Sequence, residues 1–450
     1  MTNGREHFST QMTAVLAMAG SAIGLGNIWR FPYMVGQNGG AAFILIYILC
    51  VLFLCLPIFL CESVLGRYSQ TGTFGAVEKV VPGSRLRGFA LVTVITPLII
   101  LSFYSVVGGW SIGYFLVSIF EGFDTEAADL FQGISTSVWK PIVFHTCFLG
   151  ITALVVILGV KSGIERFNKV SMPLLFILIV AIVVYSVSLP GSGEGVMYMI
   201  KPDFSKITPQ TVAGAMGQAF FSLSLGVGTI LTYSSYLKKD SKILGSGIGT
   251  AAFDLMFALI AGFAIMPAVF AAGLEPGAGP GLIFESLPTV FAAMGASVPL
   301  LSRVVSILFF LTIIAAALTS SISMYEVGVA YLVEQKSLSR KKSVVLIFLG
   351  TWLLGVLCSL SFGPLSGINL FGQNIFGFCD ALTSNFLMAF GALFFVYLVG
   401  WRMKKEDVRA ELTNSGRLEF TDRIFDIIWF FIRFVAPLGI LAVFISNLVM

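Results

Sequence analysis

The sequence predicts an all-α membrane protein, a bundle of eleven transmembrane helices forming one domain over residues 1–450. Three observations carry the prediction. The chain is 57% hydrophobic and 11% charged, with a mean hydropathy of +0.94, whereas a soluble domain carries roughly 25% charge. Eleven segments are long and apolar enough to cross the hydrocarbon, which takes about 20 residues of helix. Two of them, the first and the sixth, are interrupted near their middles by glycine and serine.

The first segment, Thr10 to Gly36, contains Gly20-Ser21-Ala22-Ile23-Gly24-Leu25-Gly26-Asn27. Its length and the lack of a small-residue cleavage site after it read as a retained span, not a removed signal peptide. The second to fifth are Ala41–Tyr68, Phe89–Phe120, Pro141–Gly159 and Phe167–Leu189. The sixth, Val212–Leu237, carries Ser222-Leu223-Ser224-Leu225-Gly226-Val227-Gly228. Ile243–Ala272, Pro299–Val333, Val344–Phe362, Ile375–Val399 and Ile424–Leu448 complete the set.

Spans one to five (10–189) and six to ten (212–399) read as two copies of one unit, with 424–448 as an extra helix. An odd number of spans per copy inverts the second copy in the membrane and puts the two interruptions at corresponding places. Paired broken helices in an inverted repeat point to a secondary transporter whose site lies at the bilayer midplane. Glycine in a helix costs about 1 kcal/mol relative to alanine, and unwound backbone in hydrocarbon needs partners for its N–H and C=O groups. Freed carbonyls suit a small cation, and freed amides at a half-helix N-terminus suit a carboxylate.

Lys and Arg collect in cytoplasmic loops, and here Arg5, Arg67, Lys79, Arg85, Arg87, Lys161, Arg166, Lys169, Lys238, Lys239, Lys242, Lys336, Arg340 and the run from Arg402 to Arg423 fall on one side. The N-terminus is therefore expected in the cytoplasm and the C-terminus outside, in a cell (plasma or inner) membrane. The net charge of +4 comes from these short loop patches, so no nucleic-acid partner is expected. Six cysteines in or near apolar spans have no zinc-site spacing and read as small hydrophobes.

Gly24-Leu25-Gly26-Asn27-Ile28-Trp29-Arg30-Phe31-Pro32 with Asn38-Gly39-Gly40, then Gly217-Gln218-Ala219-Phe220-Phe221, and Leu318-Thr319-Ser320-Ser321 in the eighth span together resemble the neurotransmitter:sodium symporter family, most closely its bacterial amino-acid transporters of the leucine-transporter type. The resemblance covers essentially the whole chain. It implies the leucine-transporter fold, no enzymatic activity, and sodium-coupled symport of a hydrophobic or aromatic L-amino acid by alternating access, with two sodium ions and no chloride.

By matching position, the resemblance assigns sodium site one to the Ala22 carbonyl, the side chains of Asn27, Ser222 and Asp254, and the substrate carboxylate. Site two takes the carbonyls of Gly20, Ile23 and Ala316 with the hydroxyls of Thr319 and Ser320. Hard cations need oxygen ligands, and every one of these positions offers one. Asp254 departs from the archetype's amide. A carboxylate deep in a span costs about 3 kcal/mol to insert, and it is expected to supply the negative charge that chloride brings in animal relatives. The same resemblance places the substrate carboxylate at Leu25, Gly26 and Tyr104, and its amine and side chain among Ser21, Ala22, Ile100, Phe221, Ser222, Ser224, Val227, Ser320 and Met324. Val227 stands where the archetype has Phe, which leaves room for a bulky side chain. Gly24 stands where monoamine carriers have Asp, which favours an amino acid over a bare amine.

The family's gate pairs map to Arg30 with Asp380 outside, and to Arg5 with Glu334, near Tyr236, inside. Gly163 and Pro173 match a feature that lets the start of span five unwind. Glu62 and Glu326 are intramembrane carboxylates that read as hydrogen-bonding partners for nearby helix breaks, with proton transport by Asp254, Glu62 or Glu326 as the alternative. An amino-acid-gated channel or receptor is the other alternative. Gly109-Trp110-Ser111-Ile112-Gly113 fits a hydrolase nucleophile motif, but an apolar span lacks the strand-turn-helix context that the motif needs.

Overall fold

A computed structural model describes residues 6–123, 127–274, 282–418 and 422–449. Among the described residues nine helices are long and apolar enough to cross a membrane. They are Ala41–Ser69, Arg87–Phe120, Trp139–Ile157, Val160–Ser188, Ile243–Ala271, Pro299–Lys336, Arg340–Leu360, Ile375–Arg402 and Asp422–Ile445. A tenth span is the bent pair Gln11–Ala22 and Gly26–Gln37, which meet at 53°. The expected count of eleven is not reached on length and apolarity alone. The difference is the sixth segment, which divides into Pro209–Ser222 and Thr229–Ser234, neither half being long enough to span by itself.

Both broken segments start in the same way. Thr10 and Thr13 form a reciprocal capping box at the first helix, and Thr208 and Thr211 form another at the sixth, so each helix has its first free amides satisfied by side-chain oxygens. The interruptions end them differently. Ile23 is extended, at φ −73° and ψ 112°. In the sixth segment Ser224, Gly226 and Gly228 take positive φ of 51°, 78° and 72°, the left-handed region that glycine enters without penalty.

The third and eighth spans pack along each other, and the first packs against the fifth, seventh and eighth. Outward faces stay apolar: Leu154, Ile177, Val184, Leu353 and Leu438 are 60–67% exposed. Such stripes on many helices are the surface of a protein solvated by lipid. Ser111 lies within one continuous helix and donates to the Val107 carbonyl at 3.0 Å, so the hydrolase-like motif is ordinary span.

Candidate ion and solute site

The two breaks face each other and are tied together. Ser224 Oγ donates to the Ser21 carbonyl at 3.0 Å, and Gln218 Nε2 donates to the Gly26 carbonyl at 2.9 Å. Glu62 accepts from the Gly226 amide at 2.7 Å, giving a freed N–H of the sixth break the partner that hydrocarbon would deny it. Leu25 N–H donates to the Tyr104 hydroxyl at 3.0 Å. A Cβ at Gly24 would collide with Ser320 Oγ and come within 2.6 Å of the Tyr104 hydroxyl, so a larger residue there would force those side chains to move.

An inner cavity of about 30 Å³ is lined by Ala22, Gly26, Ile100, Tyr104, Phe221, Ser224, Val227, Ser320 and Met324, together with Gly24 and Met388. Three residues expected at the substrate site do not line this cavity, Leu25 being expected there through its backbone alone. Ser21 Oγ donates to Ser323 Oγ at 2.7 Å, turned into the eighth span. Ser222 faces Asp254. Leu25 lines a second, outer cavity of about 80 Å³ with Arg30, Phe103, Phe376 and Asp380. Phe221 and Tyr104 wall both cavities, so their rings divide the inner space from the outer. Met388, from the tenth span, carries no polar or glycine signal that would have marked it in the sequence.

Asn27, Ser222 and Asp254 converge in a buried cluster. Ser222 Oγ lies 2.9 Å from both Asp254 oxygens, and Asn27 Nδ2 donates to Asp254 Oδ1 at 2.8 Å. Tyr47 adds its hydroxyl at 3.1 Å from Ser222 and 3.3 Å from Asp254 Oδ2. The sequence reasoning missed Tyr47, whose one signal was a hydroxyl among apolar residues of span two. Asn27 Oδ1 meanwhile accepts from Gly24 N–H at 3.1 Å. A half-turn of that amide would present its oxygen to the cluster.

The second oxygen set is neutral. Thr319 Oγ1 lies 3.1 Å from the Ile23 carbonyl and 2.7 Å from that of Ala316. Ser320 Oγ lies 3.4, 3.1 and 3.1 Å from the carbonyls of Gly20, Ser21 and Ile23. Four backbone carbonyls and two hydroxyls therefore lie together, an oxygen set suited to a hard monovalent cation. Among the described residues no group of three or more His, Cys, Asp or Glu could hold a metal ion.

The outer of the two expected gates is arranged differently from the expectation, and the inner one involves a residue outside the described range. Outside, Arg30 and Asp380 both line the outer cavity, but the Arg30 guanidinium lies 4.7 Å over the Phe221 ring and Asp380 accepts from Ser384 at 3.0 Å. No ion pair joins them among the described residues. Inside, Arg5 lies outside the described residues, and Glu334 accepts from Gly72 N–H at 2.8 Å. Tyr236 donates to Glu326 Oε1 at 2.7 Å, and Arg340 grips both Glu326 oxygens at 3.1 and 2.5 Å. Glu326 is thus held by an ion pair, not by a helix break. The reason is the αL turn at Ser337, which folds the ninth span back so that Arg340 reaches Glu326. Val160–Glu165, with Gly163, forms a wide helical turn that leads into Arg166–Ser188, with Pro173 inside that helix.

Two broken helices that pool bare peptide groups at the middle of an apolar bundle define a membrane transporter. The chain matches the sodium:neurotransmitter symporter family profile over residues 5–128 and 121–450, and it belongs to that family. It is 38% identical to an uncharacterised sodium-dependent transporter, YhdH, of Bacillus subtilis, over 98% of this chain and 97% of that one. It is 36% identical to an uncharacterised sodium-dependent transporter of Haemophilus influenzae, over 99% and 98%. Its fold is that of MhsT crystallised in complex with L-phenylalanine, with a TM-score of 0.90 and 39% identity, covering 99% of this chain and 100% of MhsT. The chain is an integral membrane, sodium-dependent transporter, not an enzyme.

Proposed function

We propose that the protein is a symporter for a hydrophobic or aromatic L-amino acid, driven by two sodium ions and independent of chloride. The observation that carries this reading is the pairing of two oxygen sets around the breaks, one with a buried carboxylate and one without. Asp254, Asn27, Ser222 and the Ala22 carbonyl would hold the first ion, sharing it with the substrate carboxylate. Gly20, Ile23, Ala316, Thr319 and Ser320 would hold the second. The zwitterion would lie at the inner cavity, which at about 30 Å³ must widen to admit it, its carboxylate at the backbone of Leu25 and Gly26 and at Tyr104, its side chain against Ile100, Phe221, Val227 and Met324. The phenylalanine bound in MhsT supports an aromatic substrate, and Asp254 supports charge balance without an anion. The N-terminal end would face the cytoplasm and the C-terminal end the exterior, with spans 10–189 and 212–399 as the inverted halves.

Proton coupling is the weaker reading. Glu326 is committed to Arg340 and Tyr236, and Asp254 to Asn27, Ser222 and Tyr47, while Glu62 is held by Gly226 through one oxygen. The test is uptake into proteoliposomes under an inward sodium gradient with an amino-acid competition panel. The account expects accumulation above equilibrium, competition by aromatic and large aliphatic amino acids, and no change when gluconate replaces chloride. Equilibration without accumulation would mean a channel, and uptake undiminished in choline would mean another driving ion.

A further inference from the structure

Asn168, on the fifth span, is fully buried, and its Oδ1 has no hydrogen-bond partner. Its Nδ2 is committed, donating to the Ile164 carbonyl at 2.9 Å. The amide therefore cannot turn over without setting two carbonyl oxygens against each other, and Oδ1 is held pointing one way. That way is toward the neutral oxygen set. A Cβ added at Gly20 would collide with Asn168 Oδ1 and come 3.3 Å from Thr319 Cβ. Oδ1 thus packs against Gly20, whose carbonyl is one proposed ligand, on the side of that residue that also faces Thr319. Buried polar groups are almost always paired, and an exception calls for a ligand or ion.

We propose that Asn168 supplies a further oxygen to the cation at site two, from the side of the fifth span, and that its other end ties the ion to the wide turn at Val160–Glu165. The inference rests on the reading of site two as a sodium site. A neutral amide oxygen strengthens the site without adding charge. Through Ile164, which lies in that turn, the same side chain makes the turn sensitive to whether the ion is present. Sodium at site two then fixes the amide through Oδ1 and, through Nδ2, the Ile164 carbonyl of the turn; its departure frees both.

The experiment uses the purified full-length protein without amino acid, measuring binding of radioactive sodium and hydrogen exchange of residues 160–165. Asn168→Leu keeps the volume but removes both functions. Asn168→Asp keeps an oxygen but cannot donate to Ile164. We expect Asn168→Leu to raise the half-saturating sodium concentration about tenfold, the loss of one good ligand interaction, and to abolish the slowing of exchange by sodium at 160–165. Asn168→Asp should bind sodium at least as tightly as the parent while its exchange no longer responds. If the Leu variant fails to fold, Asn168→Ala replaces it. Equal weakening in Leu and Asp would assign Asn168 a structural role only and overturn the proposal, as would parental binding in Leu. Thr319→Val separates the two layers. If it weakens sodium binding while Asn168→Leu does not, the Asn168 inference alone fails; if it changes nothing, site two itself is misread and both fall.

Discussion

The two oxygen sets beside the breaks are close neighbours built on opposite electrostatic principles. One holds a buried carboxylate, Asp254, gripped by Asn27, Ser222 and Tyr47. The other holds only carbonyls, hydroxyls and the Asn168 amide. A cation at the first can be neutralised by a full charge in a low-dielectric interior, where such pairing is strong. At the second it meets dipoles alone. The contrast suggests a division of labour, in which the charged set binds ion and substrate together and the neutral set holds an ion loosely enough to release first.

The sharpest way to break that comparison is to remove the charge. Asp254→Asn should lower sodium-driven uptake by about a hundredfold or more, since breaking a buried charge network costs about 3–5 kcal/mol. If chloride then partly restores uptake, the carboxylate is confirmed as the counter-charge; near-normal uptake in chloride-free buffer would refute it. On the neutral side, Thr319→Val should raise the sodium requirement about tenfold and leave the amino-acid KM at saturating sodium unchanged. A change in KM alone would place Thr319 in the wrong set.

Two smaller effects sharpen the picture. Glu326→Gln should loosen the inner closure by about 1–3 kcal/mol, seen as faster labelling of a cysteine introduced near Tyr236 from the cytoplasmic side. An unchanged labelling rate would make the Arg340–Glu326–Tyr236 cluster a mere brace. Val227→Phe should shift preference from aromatic toward smaller aliphatic side chains by about 1–3 kcal/mol, a factor of roughly ten to a hundred in relative kcat/KM. A competition panel measures it directly.

Much of this arrangement was legible in the sequence because hydrocarbon leaves few choices. Long apolar runs must be helices, and glycine with serine inside two of them marks backbone that something else satisfies. The expected ligands carried oxygens in recognisable strings, so Thr319 and Ser320 could be placed from their neighbours. What the sequence concealed was partnership across distant spans. Tyr47 and Asn168 are ordinary polar residues in apolar helices until folding sets them beside Ser222 and Gly20. Arg340 read as one of many loop charges, because only the reversal at Ser337 carries it back to Glu326. Arg30 and Asp380 show the converse: charges at matching positions need not touch in the same state. The sixth segment, plain in the sequence as one apolar run, is missed by a count of long helices because its break leaves a stub of six residues, Thr229–Ser234.

The central claim is that the breaks of spans one and six hold a cation and a zwitterion as mutual ligands, which makes each bind the other more tightly by the same factor. Equilibrium binding of radiolabelled phenylalanine to the purified protein, titrated with sodium in chloride-free buffer, measures that factor. The account predicts binding that rises steeply with sodium, with a Hill coefficient above one, and is lost in Asp254→Asn. Phenylalanine binding of equal affinity with sodium or choline would contradict it.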